Sequence, residues 1–98
     1  MFDKMKQLHQ MKEQMDAAKE RMNAISVKGE YQGVTVISNA NRKIIEVIIP
    51  EEIYSKSTGE EIAELITIAT NKALESAEGV FESEMKGMAG GLMGGLGF

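Results

Sequence analysis

The chain of 98 residues has no cysteine and no tryptophan, one proline, one histidine and only 5% aromatic residues. The absence of cysteine excludes disulfide bonds, thiolate catalysis and zinc sites with cysteine ligands. The shortage of aromatic residues means that Ile, Val, Leu, Met and Ala must build the core. A domain of this length buries only about two-thirds of its unfolded surface, so a monomer without a partner would be marginally stable.

No targeting or membrane-spanning segment is predicted. The first 25 residues are rich in Lys, Glu and Gln and lack the apolar region of a signal peptide. The longest strongly apolar run, residues 44–49, is far shorter than the roughly 20 residues that span a bilayer. We therefore expect a cytoplasmic protein without a membrane partner.

Acidic residues outnumber basic ones, and the net charge is −4. The imbalance is uneven along the chain. Residues 1–49 contain eight Lys and Arg residues against six Asp and Glu residues, whereas residues 50–98 contain three against nine. An anionic partner would therefore approach the N-terminal half.

The first predicted element is a long helix over residues 2–25, a segment without Gly or Pro and rich in helix formers. Apolar residues recur there at intervals of three and four, so they form one stripe. Such a helix is about 36 Å long, which exceeds what one small sheet covers. Either it is the core helix of a compact monomer or its stripe contacts a second chain, and its length favours the second. The apolar stripe comprises Leu8, Met11, Met15, Ala18, Met22 and Ile25.

Three runs rich in β-branched residues follow, at Ser26–Tyr31, Val34–Asn39 and residues 43–49. Turn residues separate them, so the connections are short and the strands form an antiparallel meander. The third run is apolar on both faces except at Glu46, which predicts a helix on one face and a second copy of the sheet on the other. The predicted homodimer interface therefore comprises Leu8, Met11, Met15, Met22, Ile44, Val47 and Ile49.

A second long helix is predicted after the strands. Thr58 and Glu61 have the spacing of a capping box, and an apolar stripe with small Ala residues at its centre runs to about Met85. These Ala residues would let the helix lie close against the sheet. After Lys86 the chain is so rich in Gly that an ordered helix is disfavoured. We therefore predict one domain over residues 1–86 and a flexible Gly/Met/Leu-rich tail over residues 87–98, whose Leu and Phe side chains either stay free or pack on a partner.

No catalytic or cofactor motif is recognised. The single histidine, His9, has no second histidine with which to share a metal ion, and its plainest interpretation is a solvated helix residue. The Ser and Thr residues lack the pattern of a nucleophile elbow. The Gly-rich tail lacks the Lys-Ser/Thr that ends a phosphate-binding loop. We expect a protein that is not an enzyme and uses no metal, cofactor or small-molecule substrate.

The basic residues of the first helix are interleaved with acidic ones, which is typical of a solvated coiled-coil flank. A surplus remains at its N-terminus, where Lys4, Lys6 and the α-amino group oppose only Asp3. A dimer presents this cluster twice, and phosphates are its obvious target. Few contacts without interleaved aromatic residues predict weak, salt-dependent binding with little dependence on base sequence. Composition alone does not decide between the two interpretations.

The order of these segments resembles the YbaB/EbfC family of small bacterial nucleoid-associated proteins along nearly the whole chain. The segments that carry the resemblance are Met-Lys-Gln at 5–7, Gln-Met at 10–11, Val-Lys-Gly-Glu at 27–30, Gly-Val-Thr-Val at 33–36, Ile-Ile-Pro at 48–50, Glu-Ile-Ala-Glu-Leu at 61–65, Ala-Thr-Asn-Lys-Ala at 69–73 and the tail that ends in Phe98.

The resemblance implies an α+β fold of order α-β-β-β-α, in which two long helices flank a three-stranded antiparallel meander, and a tweezer-like homodimer. It also implies binding of double-stranded DNA with little sequence specificity, in the nucleoid, to organise it or to tune gene expression. The alternative is a protein-interaction or chaperone-like adaptor that uses the Met-rich helix and the apolar tail. The DNA contacts implied for the projecting helices are Lys4, Lys6, Lys12, Lys19, Arg21 and Lys86.

Overall fold

The structure is a computed structural model that describes the backbone of residues 2–95 and the side chains of residues 4–87. It has the predicted α+β architecture, in which helices flank one antiparallel sheet of order β1-β2-β3. The elements in chain order are α1 (Phe2–Ala24), β1 (Ser26–Tyr31), β2 (Val34–Asn39), β3 (Ile44–Ile48), α2 (Glu51–Lys56) and α3 (Gly59–Gly95).

The turn between β1 and β2 follows from two residues in the left-handed region. Gln32 has φ 47° and Gly33 has φ 93°. Two successive positive φ angles make the tight primed turn whose twist matches that of the flanking strands. The turn fixes the register, in which Tyr31 pairs with Val34 and Ser26 with Asn39.

The core lies between α3 and the first two strands. Val34 and Val36 of β2 and Ala69 and Ala73 of α3 are fully buried there. On β1, Gly29 lies against the backbone of α3, so close that a Cβ atom would overlap Ala69 O and Ala73 N. Glycine on the strand and alanine on the helix thus allow the backbones of β1 and α3 to touch, which confirms the expected role of the small residues of α3.

The start of α3 is capped as predicted. Thr58 Oγ1 accepts a hydrogen bond from the backbone N–H of Glu61 at 3.2 Å and lies 3.2 Å from the carboxylate of the same residue. The cap satisfies one of the N–H groups left without a partner at a helix N-terminus.

The helix α2 was not predicted. Pro50 precedes it with φ −60° and ψ 146°, and Glu51 and Glu52 occupy its first turn. Acidic residues at this position favour a helix through its dipole. Ile53 then packs against the core. A segment of six residues is too short to show helical periodicity in the sequence.

The helix α3 extends to Gly95, beyond the predicted end near Met85. The prediction for that end is wrong because a helix already anchored by packing needs no new nucleus, and each further residue adds one backbone hydrogen bond. The tail predicted over residues 87–98 is thus helical in backbone as far as Gly95, its last three residues lie outside the described part of the chain, and its flexibility stays a prediction.

The strand β3 is an edge strand of the sheet, and all of its residues are exposed. The expected helix on one of its faces is absent from the described chain, since α3 packs over β1 and β2. A β-bulge between the pairs Ile37–Glu46 and Ser38–Ile44 shifts the register. Because Val36 pairs with Val47, the bulge puts Ile44 and Val47 on the same face, the side that α3 occupies.

The protomer is elongated. Its Cα radius of gyration is 19.0 Å and its longest dimension is 65 Å, whereas a compact chain of this length has a radius of gyration of about 13 Å. Most of α1 and the distal part of α3 therefore extend away from the small core.

Candidate nucleic-acid interface

Among the side chains of the first helix that the structure describes, only those near its C-terminal end are buried against the rest of the protomer. Ala18 and Met22 are buried, and every residue from 4 to 17 is exposed. We call residues 4–17 the α1 arm. Its length is about 21 Å. The prediction that the helix is too long for the sheet to cover is confirmed.

Asparagine side chains attach the base of α1 to the loop between β2 and β3. Asn41 Nδ2 donates hydrogen bonds to Lys19 O at 3.0 Å and to Asn23 Oδ1. Ala40 N donates to Met22 O at 3.1 Å. The bond to Met22 O satisfies one of the carbonyl groups that the end of a helix leaves without an intrahelical partner. The direction of the arm is therefore fixed by hydrogen bonds at its base.

Charges that alternate along the sequence of α1 separate only in part around its axis. At about 100° per residue, Lys12 and Lys19 point within ~20° of each other, and Lys4 points within ~80° of both. Glu13 and Glu20 lie about 80° or more from each of these lysines, but Asp16 lies between Lys12 and Lys19 along the helix and within about 60° of both. We call Lys4, Lys12 and Lys19 the basic row. It is exposed throughout and about 22 Å long.

Two other predicted DNA contacts on α1 do not join this row. Lys6 points about 200° away from Lys4, on the side of Glu13. Arg21 faces α3, where its guanidinium lies 3.0 Å from the carboxylate of Glu84. The N-terminal cluster proposed from the sequence is thus divided between two sides of the helix. Arg21, another predicted DNA contact, is paired with Glu84 within the protomer.

The predicted contact on α3 stands apart from the others. Lys86 is exposed, but α3 is otherwise strongly acidic. Its described side chains include seven Glu residues, against the lysines Lys72 and Lys86. The ammonium of Lys72 lies 5.2 Å from the centre of the Tyr31 ring. A polyanion is therefore attracted to α1 rather than to α3.

Sequence reasoning missed two basic residues that the fold brings to α1. Arg42 and Lys43 follow Asn41 in the loop that binds the base of the helix, and both are exposed. The signal that identifies them is the pair Asn39 and Asn41 just before them, because Asn side chains form hydrogen-bonded turns that hold neighbouring residues in place.

The predicted dimer residues fall into two groups. Met22 is buried and Ile49 packs on the core, so both already serve the protomer. Five others are exposed large apolar residues. The exposed group comprises Leu8, Met11 and Met15 on the α1 arm and Ile44 and Val47 on β3.

An open cleft of about 990 Å³ separates the base of α1 from α3. Small residues such as Ala17, Gly79 and Ser83 line much of it, and the ion pair of Arg21 and Glu84 adjoins it. Within the described residues, no group of three or more His, Cys, Asp or Glu side chains could hold a metal ion. No helix there is both long and apolar enough to cross a membrane.

Comparison with known proteins matches nearly the whole chain. The sequence model of the YbaB/EbfC DNA-binding family matches residues 1–92, which include every strand and most of α3. A nucleoid-associated protein of Caldanaerobacter subterraneus is 31% identical over 88% of this chain and 79% of its own length. One from Chloroflexus aurantiacus is 30% identical over 92% of both chains. One from Bacillus cereus is 35% identical over 80% of this chain and 73% of its own length.

Proposed function

Because the chain belongs to the YbaB/EbfC DNA-binding family, we propose that it is a nucleoid-associated protein that binds duplex DNA as a homodimer with little sequence specificity. The observation that carries the proposal is the basic row, whose three lysines are exposed along α1. Its place is the nucleoid in the cytoplasm, where it organises DNA or tunes gene expression.

The chemistry of the α1 arm supports contacts to phosphates rather than to bases. Lysine ammonium groups act as flexible point charges, which suits a uniformly charged backbone. Contacts to phosphate oxygens position a protein on the duplex but carry no sequence information. The described side chains of the arm include no Phe, Tyr or Trp that could stack on an unpaired base.

A salt titration of DNA binding tests the proposal. Wild-type protein at micromolar concentration should retard a duplex of mixed sequence at about 50 mM salt, and the logarithm of the affinity should fall linearly with the logarithm of salt concentration. Duplexes of unrelated sequence should bind within a few-fold of one another. The absence of any complex under these conditions would contradict the proposal.

A second function is favoured by the exposed methionines of the arm. Met5, Met11 and Met15, with Leu8 among them, present an adaptable apolar surface of the kind used to bind varied partners. If the chain is a protein adaptor, partner proteins should remain bound to the tagged chain after nuclease treatment. DNA retention that nuclease abolishes, without such partners, favours the nucleoid function.

Self-association through β3 is expected to be specific to one face of that strand. Val47 and Ile48 are consecutive and each is 41% exposed, but their side chains lie on opposite faces. Around Ile48, the outer face carries the charges of Lys28 and Glu46, so water can cover it. The face with Val47 and Ile44 is apolar and requires cover by a second copy.

Val47→Glu should therefore give a monomer, while the matched variant Ile48→Glu stays dimeric. A glutamate at the centre of a dimer interface leaves an unpaired buried charge, whereas on the solvated face it is harmless. Light scattering during size-exclusion chromatography measures both masses. A Val47→Glu protein that keeps the wild-type mass would show that this face is not the interface.

A further inference from the structure

The loop between β2 and β3 carries a basic cluster at the base of α1. We define the loop cluster as Lys19, Arg42 and Lys43. Asn41, next to Arg42, donates its side-chain hydrogen bonds to Lys19 O and Asn23 Oδ1. Lys19 and Asn23 are four residues apart and therefore lie on the same side of the helix. The three cationic side chains thus arise from backbone segments that touch.

The loop is rigid because its polar groups bond to one another. Asn39 Oδ1 accepts from the backbone N–H groups of Asn41 at 2.9 Å and Lys43 at 3.0 Å. Asn39 N donates to Lys43 O at 2.9 Å, and Arg42 N donates to Asn39 O at 3.1 Å. The backbone N–H groups of residues 41–43 are therefore all used internally. What the loop presents outward is the side chains of Arg42 and Lys43.

Arg42 adopts a backbone conformation that is unfavourable for arginine. Its φ is 63°, in the left-handed region where Gly, Asn and Asp are common. Residues other than glycine that are held in this region are strained, and such residues cluster at functional sites. An Asn here would hold the same turn with less strain, so the turn alone does not explain the arginine.

The charges of the loop cluster are not neutralised within the protomer. No ion pair involves Lys19, Arg42 or Lys43 in the part of the chain that the structure describes, whereas the other arginine, Arg21, is paired with Glu84. Arg42 is thus the guanidinium left to form the bidentate contact that phosphate groups favour.

We propose that the loop cluster is a second phosphate-binding site, which holds the DNA backbone at the base of the α1 arm. Lys19 belongs to both the basic row and the loop cluster, so the two meet at this residue. Lys4 lies about 22 Å from Lys19 along the helix. A duplex that contacts the free end of the arm and the loop cluster would lie along α1 rather than only at its tip. This inference rests on the proposed DNA binding.

The test removes the charges of Arg42 and Lys43 without destabilising the fold. Arg42→Asn with Lys43→Gln takes away two cations and gives the left-handed position a residue that favours it. The matched control is Lys28→Gln with Lys56→Gln, which removes the same charge from the outer sheet face and the end of α2. Thermal unfolding should show both variants folded, with the first at least as stable as the wild type.

The loop variant should bind a mixed-sequence DNA duplex at least about 10-fold more weakly than the control at 0.1 M salt, and its salt slope should be smaller by about 3 to 4, because a dimer loses four phosphate contacts at ~0.9 each. Arg42→Lys should keep most of the slope, because it keeps the charge.

Three outcomes overturn the inference. If wild-type protein binds DNA and the loop variant binds it as well as the control does, the phosphate site at the loop cluster is contradicted. The proposed DNA binding then stands. If wild-type protein binds no DNA, both the proposed function and this site are contradicted. A loop variant whose mass in light scattering falls to that of a monomer shows that the cluster contacts a second copy instead.

Discussion

Replacing Lys4 and Lys12 by glutamate is expected to lower the affinity for duplex DNA by about 100-fold or more at 0.1 M salt. Each reversal removes a proposed phosphate contact and adds a repulsion, and the proposed homodimer carries each of them twice. The salt slope should fall by about 3 to 4, at ~0.9 for each lost contact. Fluorescence anisotropy with a labelled duplex at several salt concentrations measures both quantities.

The control for this variant is Lys28→Glu with Lys56→Glu, which changes the net charge equally but away from α1. Its affinity should fall only slightly, through the general change in net charge. Both variants should unfold at the wild-type temperature, because all four residues are exposed. Equal losses of affinity in the two variants would contradict a DNA interface on the basic row.

Replacing Gly29 by alanine is expected to lower the free energy of unfolding by about 3 kcal/mol or more. The added Cβ atom would meet Ala69 O and Ala73 N, which are backbone atoms of α3. Backbone cannot move aside as the end of a flexible side chain can, so α3 must shift off the sheet. The contacts of Val34 and Val36 with α3 would loosen together.

Gly79→Ala is the matched control, because a Cβ atom there meets nothing within 4 Å. Alanine in an exposed helix position should raise the free energy of unfolding by about 0.5–1 kcal/mol, since glycine is the poorer helix former. Urea unfolding at one fixed protomer concentration compares the variants, because the stability of a dimer depends on concentration. Similar effects at the two glycines would show that the close approach of β1 and α3 is not required.

Local interactions explain which parts of the fold were predictable. The runs at Ser26–Tyr31 and Val34–Asn39 were confirmed to the residue, because β-branched residues and turn residues act over a few neighbouring positions. The cap at Thr58 was confirmed for the same reason. The family resemblance was confirmed over residues 1–92.

Predictions failed where packing or register decides. The β-bulge in β3, which puts Ile44 and Val47 on one face, was not predicted. The same strand was expected beneath a helix, whereas α3 follows the small residues Gly29, Ala69 and Ala73 onto β1 and β2. These arrangements depend on which surfaces fit, and no single segment contains that information.

The candidate DNA site divides in the same way. The excess of positive charge in the N-terminal half and the exposure of a long first helix could be predicted, because both depend on composition and on helix length. The pairing of Arg21 with Glu84 could not, since the two residues are far apart in the sequence. Nor could the approach of Arg42 and Lys43 to Lys19, which depends on asparagine bonds between α1 and the loop.

What the chain lacks and how its apolar residues are spaced were enough to specify an α+β protomer that no disulfide stabilises and whose first helix extends beyond its core. Those features follow from residue type and local periodicity. Other features arise only when distant segments pack. They are the position of the base of the α1 arm, the open faces of β3 and the meeting of the basic row with the loop cluster. The physical reason is that contacts between segments depend on the fit of whole surfaces.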